Sequence, residues 1–405
     1  MRTQRPKTLL LGTALFAATA GTLAYLPTLS APQPEPPQAS IPALVNGQVE
    51  SPIVEAVFVL DTTGSMGGLI QAAKDKIWSI ASTMAAADPA PEIRMGLVAY
   101  RDRGDAYVTR LVDLTADLDR LHAELFQLQA NGGGDAPESV NQALHEAVTA
   151  ISWGQEPDAY RVVFLVGDAP PHMDYQDDVK YPESLALAKE RGIRVNAIQC
   201  GKASETRALW QQIAQLGDGA FFDVAQDGAA VAIATPYDKE LARLSTELDE
   251  TRLYYGTPTE RAKRTEQLAK AEAVRDAAPA TALARRATFT ASASGKAARL
   301  ADKELVEAVA AGRVDLDSVA PGQLPEPLQG LAKQDQKRVL AELAERRAAL
   351  RQRIEDAAQA RTDYLRQRID AAGGAEESLD HKLYDVVRKQ AASSGLNYSA
   401  AGPAY

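Results

Sequence analysis

Val54-Glu55-Ala56-Val57-Phe58-Val59-Leu60-Asp61-Thr62-Thr63-Gly64-Ser65-Met66 carries the chain from an apolar run onto a turn bearing one acid and several hydroxyls, and an amphipathic run starts at Ile70. The order predicts a buried strand, a turn and a helix. Side chains on such a turn face out at the carboxyl end of the strand, where ligands bind in open α/β sheets. Asp61, Thr63 and Ser65 stand at alternate positions, so one extended turn can aim three oxygen donors at one point. Hard cations such as Mg²⁺ take donors of this kind.

Two further segments fit the same end of a sheet. Arg161-Val162-Val163-Phe164-Leu165-Val166 is a second short apolar run, and it ends in Gly167-Asp168. Between the two strands lies Asn131-Gly132-Gly133-Gly134-Asp135-Ala136-Pro137-Glu138-Ser139. Its glycines allow backbone to approach a site closely, and Pro137 suits the first turn of a helix over 138–153.

In this order the three segments resemble the von Willebrand factor type A domain with its metal-ion-dependent adhesion site, over residues 51–235. The family pattern is Asp-x-Ser-x-Ser, then a Thr from a second loop, then an Asp from a third. Asp61, Thr63, Ser65 and Asp168 match by position, with Thr63 in a Ser slot. No Thr lies between Asn131 and Ser139, so Asp135 is the first substitute for the second-loop ligand and Ser139 the next. DTTGSM, GGGDAPE and VGDAPPH together look like a bacterial branch of the family. The resemblance implies a doubly wound, mainly parallel sheet. It also implies a site for Mg²⁺ (or Mn²⁺ or Ca²⁺) and a protein partner whose oxygen displaces water from the ion. Three carboxylates around a divalent ion would leave the site near −1 and repel an acidic partner, so either Asp135 stands back from the ion or the ligand is neutral.

Alternation of strands and helices supports that architecture independently. Strands are expected at 54–60, 93–100, 107–114, 160–166, 193–199 and 220–224, with helices at 70–86, 117–129, 138–153, 182–191 and 204–216. The short link 101–106 suits a hairpin and one antiparallel strand. Arg103-Gly104-Asp105 within it reads as a polar turn, and His172 as a partly exposed loop residue. The single cysteine, Cys200, ends an apolar strand and reads as a small buried residue; it excludes an internal disulfide and multi-cysteine metal sites.

Beyond 235 the alternation stops. Helices are expected over 236–253, from a capping box at Thr257-Pro258-Thr259-Glu260 to about 278, and over 298–311, 336–371 and 378–391. The Ala/Thr/Ser-rich stretch 281–294 reads as a loose connection. Residues 236–405 thus read as an all-α C-terminal region with no recognisable enzyme.

Charge follows the same division. The formal net charge of the 405-residue chain is −10. Residues 51–235 hold 14 Lys+Arg against 26 Asp+Glu, whereas 236–405 hold 27 against 26. An acidic first domain argues against nucleic acid as a partner. Arg2, Arg5 and Lys7 precede an uncharged stretch over 8–26. Residues 1–31 therefore read as a cleaved export signal or an uncleaved membrane anchor. Residues 32–50, with APQPEPPQASIP across their start, read as a Pro-rich linker. Either alternative places the rest outside the cytoplasm, in a bacterial periplasm or cell envelope.

Two reaction classes fail on residue type. A phosphate-accepting Asp61 would need a second acid two residues on as general acid/base, and that position is Thr63. The turn Gly64 to Gly68 lacks the Gly-Lys-Ser/Thr of a P-loop. The sequence therefore reads as an exported, metal-dependent protein-binding module for adhesion or scaffolding, not an enzyme. The alternative is an envelope hydrolase or phosphotransferase using the same metal.

Overall fold

The computed structural model describes residues 51–134, 137–225, 233–301, 303–371 and 379–399. Residues 1–50, which hold the expected export segment and linker, lie outside them, as does Asp135. Among the described residues no helix is long and apolar enough to cross a membrane.

The strands are β1 (Ile53–Asp61), β2 (Glu92–Tyr100), β3 (Thr109–Thr115), β4 (Tyr160–Gly167), β5 (Ile193–Cys200) and β6 (Phe221–Val224). They form one sheet in the order β3-β2-β1-β4-β5-β6. All neighbours are parallel except β2 and β3, which are antiparallel. This is the doubly wound, mainly parallel sheet expected, with its antiparallel strand where the short link predicted it. The central strands are apolar on both faces because helices cover both. Val54, Ala56 and Leu60 of β1 and Val162, Phe164 and Val166 of β4 face one layer. Val57, Val59, Val163 and Leu165 face the other. The connections leave β1 first toward β2 and later reach β4 on its other side. The carboxyl ends of β1 and β4 therefore flank the switch point where such sheets bind ligands.

Helices α3 (Val140–Thr149), α4 (Tyr181–Glu190) and α5 (Ser204–Leu216) cover the second face. Helices α1 (Gly67–Ala85) and α2 (Leu118–Gln127) cover part of the first. The remainder of that face is closed by α12 (Leu379–Ala391), whose Leu383, Val387 and Ala391 share one core with Trp78, Phe164 and Val224. Polar contacts set its direction. Lys382 Nζ donates to Asp223 O at the end of β6. Gln390 exchanges hydrogen bonds with Asn196 and accepts one from Tyr160 Oη near the starts of β5 and β4. Helix α12 thus runs antiparallel to the parallel strands, its amino end toward their carboxyl ends. The sequence boundary at 235 does not divide the core: residues 51–224 and 379–396 build it together with Phe289.

Between these segments lie α6 (Asp238–Asp249), α7 (Pro258–Ala277), α8 (Ala280–Ala291), α9 (Ala293–Ala301), α10 (Leu305–Ala310) and α11 (Lys333–Ala371). The capping box at Thr257 and Glu260 is formed. The 281–294 stretch is not a loose connection. Most of it is helix α8, which packs with α6 and α11 through Ala284, Ala287 and Ala291. Phe289 reaches the sheet-side core, 5.9 Å from Trp78 between ring centroids. Small side chains let helices approach closely, and alanine has the highest helix propensity. An apolar stripe runs along α11, but two buried positions on it are arginines. Arg347 pairs with Glu304 at 2.7 Å and Arg361 with Asp238 at 2.8 Å.

Candidate metal centre

Asp61 is the last residue of β1 and is fully buried. Its Oδ1 accepts from the Thr63 backbone N–H at 2.9 Å and from the Thr63 hydroxyl at 2.7 Å. Its Oδ2 is buried with no hydrogen-bond partner. Thr62 turns inward and anchors the loop: its hydroxyl donates to Tyr100 O and meets Tyr107 Oη at 2.7 Å. Thr63 Oγ1 lies 3.4 Å from Ser65 Oγ, and Ser65 is exposed.

The glycine loop closes over this turn. Gly64 N–H donates to Gly132 O, and Asn131 N–H to Thr62 O. At Gly133, with φ of 76°, a Cβ would stand 3.0 Å from both Thr63 Cβ and Glu138 Oε1. Glycine is therefore required for conformation and for space. On the β4 side, a Cβ at Gly167 would lie 2.5 Å from Tyr100 Oη and 3.1 Å from Asp61 Oδ2. That close approach brings Asp168 beside Asp61. Thr206 Oγ1 donates to Asp168 O at 3.1 Å.

These groups line a cleft of ≈ 590 Å³ that includes Thr63, Ser65, Gly133, Glu138, Asp168 and Thr206. Asp61, Thr63, Ser65 and Asp168, singled out in the sequence, thus converge. Ser139, the second substitute for the missing second-loop ligand, does not join them: it is fully buried and donates to Asp102 Oδ1 at 2.8 Å. Glu138, the neighbour that sequence reasoning passed over, lines the cleft instead. It is 3% exposed, and its Oε2 is buried without a partner.

A network of polar groups holds this wall. Asp105 Oδ2 accepts from Gly133 N–H, so the Arg-Gly-Asp turn fastens the glycine loop. Arg103 is occupied by Asp177 and Asp178. His172 is buried rather than partly exposed, at 5%. It stacks on Tyr175 at 4.0 Å, and its Nε2 lies 3.3 Å from Asp102 Oδ2.

Burial pushes the Asp61 carboxyl up to about 7, against hydrogen bonds from Thr63 and from the Asp168 backbone and with help from the negative charge of Asp168. Burial likewise pushes Glu138 up to about 9, reinforced by Asp61, Asp102, Asp105 and Asp168. Crowded acids with orphaned oxygens are stabilised by a cation among them. Among the described residues no group of three or more His, Cys, Asp or Glu side chains is arranged to hold a metal by itself. A cation here would rest on hydroxyls together with carboxylates. That mixed oxygen set, with the buried Oδ2 of Asp61 unsatisfied, fits a hard divalent ion.

Residues 55–236 match the family model of the von Willebrand factor A domain. Over 120 residues, 30% of this chain, the sequence is 27% identical to an ariadne-like RING finger protein of Acanthamoeba polyphaga mimivirus. Over 156 residues, 38% of this chain, it is 31% identical to von Willebrand factor A domain-containing protein 7 of Mus musculus. The matched segments span 11% and 16% of the lengths of these two relatives. Among solved structures, proximal thread matrix protein 1 from the mussel byssus, with a zinc-occupied MIDAS motif, matches at TM-score 0.35 and 17% identity. That match covers 44% of this chain and 43% of the other. Residues 55–236 of this chain are a von Willebrand factor A domain.

Proposed function

We propose that this protein is a metal-dependent protein-binding module, built on the cleft at the carboxyl ends of β1 and β4. Ser65 and Thr63 would hold a divalent ion, Mg²⁺ or its substitutes Mn²⁺ and Ca²⁺, through their hydroxyls. Asp61 and Asp168 would contribute carboxylates. When bound, the ion supplies an open coordination position for an oxygen of a protein partner. The observation that carries this reading is the Asp61 side chain. One of its oxygens is saturated by Thr63 and the other is buried without a donor, an arrangement costly for a protein to keep unless a ligand satisfies it.

Binding is favoured over turnover by the neighbouring residues. Thr63 stands where an acid/base catalyst would be needed. Ser139, Asp102 and His172 come together, but the serine hydroxyl donates to the aspartate and is sealed from the cleft. Export through residues 1–31 remains part of the proposal and rests on the basic start and the uncharged stretch that follows.

The test is calorimetric titration of Mg²⁺ and Mn²⁺ into the full chain and into Asp61→Ala. Saturable binding lost in the variant supports the reading. No binding by the wild type, or unchanged binding in the variant, overturns it. A fragment ending at 235 is unsuitable, because α12 completes the core.

A further inference from the structure

We propose a second binding site on this protein, for a phosphate group, at the end of the sheet opposite the metal cleft. It uses other residues and is independent of the metal-dependent reading.

The site is a cleft of ≈ 290 Å³ at the amino ends of β4 and β5. Arg161 comes from the start of β4 and Arg194 from the start of β5, which are neighbouring strands. Lys189 comes from the last turn of α4. Ser393 and Ser394 come from the short turn of helix that follows α12. The far end of the chain therefore closes this cleft as it closes the sheet.

The cations here are concentrated and largely unclaimed. Residues 51–235 hold 14 Lys+Arg against 26 Asp+Glu, yet three of those cations line this one cleft beside a single acid, Asp218. Lys189 has no hydrogen bond or ion pair among the described residues. Arg194 donates only to the Ser393 hydroxyl, at 3.4 Å. Arg161 is 8% exposed, and its Nε is buried with no hydrogen-bond partner. The nearest acid to that nitrogen is Glu55, at 3.4 Å, and Arg94 draws on the same carboxylate. Asp218 is exposed and makes no ion pair among the described residues, so it neutralises none of the three. Lys189 also complements the dipole at the carboxyl end of α4, but that accounts for neither arginine.

The chemistry points to phosphate. Guanidinium and ammonium groups make short, charge-assisted hydrogen bonds to phosphate oxygens. Three positive charges against one negative give the lining a net +2, which matches a phosphate dianion. A carboxylate would leave one charge and several donors unused. The Ser394 hydroxyl, unbonded among the described residues, adds a neutral donor. Small-molecule clefts start at about 300 Å³, so the space suits free phosphate or a small phosphate monoester.

The experiment uses the full chain in EDTA at pH 8 and constant ionic strength, with inorganic phosphate and phenyl phosphate as probes. Phosphorus-31 line widths should show saturable binding that equal concentrations of acetate do not displace. Lys189→Gln and Arg194→Gln should each weaken it about threefold, and the double variant about tenfold, at unchanged melting temperature. Asp61→Ala, at the other end of the sheet, should bind as wild type does. Tighter binding of phenyl phosphate identifies a monoester site, and tighter binding of inorganic phosphate a site for the free ion. No saturable binding, affinity within twofold of wild type in both single variants, loss of binding in Asp61→Ala, or displacement by acetate would each overturn the assignment.

Discussion

At Asp61 and Glu138 the protein keeps two carboxyl groups where ionisation is disfavoured, and this has a pH consequence. Their folded values, about 7 and about 9, lie above the ordinary carboxylate range. Between the unfolded and folded values the native state holds more protons than the unfolded chain. The contribution of these two groups to metal-free stability is therefore full below about pH 4 and is lost as pH rises through this window. Urea unfolding of the metal-free protein should give a lower midpoint at pH 8 than at pH 5. Asp61→Asn should remove the part of that fall between about pH 4 and 7, and excess Mg²⁺ should raise the wild-type midpoint at pH 8. A midpoint independent of pH, or an unchanged slope in Asp61→Asn, would contradict the electrostatic account.

Single elements show where sequence reading succeeds and where it stops. Strands β1 and β4 were legible because continuous apolar runs ending in Asp61 and in Gly167-Asp168 leave few other readings. Glu138 was not, because an acid just after Pro137 at a helix start is the ordinary complement to a helix dipole. Only the surrounding donors, or their lack, reveal that its second oxygen is unmet. Helix α8 was missed for another reason: alanine, threonine and serine give no apolar stripe, and the helix is ordered by packing on α6 and α11. Its Arg286 is 1% exposed and pairs with Asp119 of α2 and Asp249 of α6 at 2.6 and 2.8 Å. The Arg286 charge holds the Asp119 carboxyl far below its usual range despite burial. Arg286→Met leaves Asp119 to Arg252 and Asp249 to Arg252 and Arg275, and should cost about 1–3 kcal/mol in denaturant titration. On α12, Leu383 lines an apolar cavity of ≈ 50 Å³ between the sheet and α1. Leu383→Ala enlarges it and should cost about 2–5 kcal/mol, read by the same titration. A loss under about 1 kcal/mol would mean that α12 contributes little to the sheet's core.

Across the whole molecule, the helix that finishes the sheet comes from the far end of the chain. No sequence period announces this. The amphipathic pattern of 379–391 says only that one face is buried, and the partner is chosen by topology. Gln390, buried against Asn196 and Tyr160, fixes the choice of site, since its amide meets complementary groups there. A chain ending at Ala371 should therefore bind the dye ANS and aggregate, because the face holding Phe164, Ile198 and Val224 loses its cover. A monomeric truncated chain with a cooperative melt would refute this dependence.

The same arrangement imposes a schedule on synthesis. Strand β6 ends at Val224 and α12 starts at Leu379, so about 150 residues are translated between the last strand and its lid. At roughly 5–20 residues per second this is an interval of roughly 8–30 s. During that time a six-stranded sheet is complete while one greasy flank stays open. Ribosomal stalling or premature termination anywhere in that interval leaves a sticky product. A polypeptide seals itself only once α12 has been made, so a message cut short of that point is read out as loss of solubility.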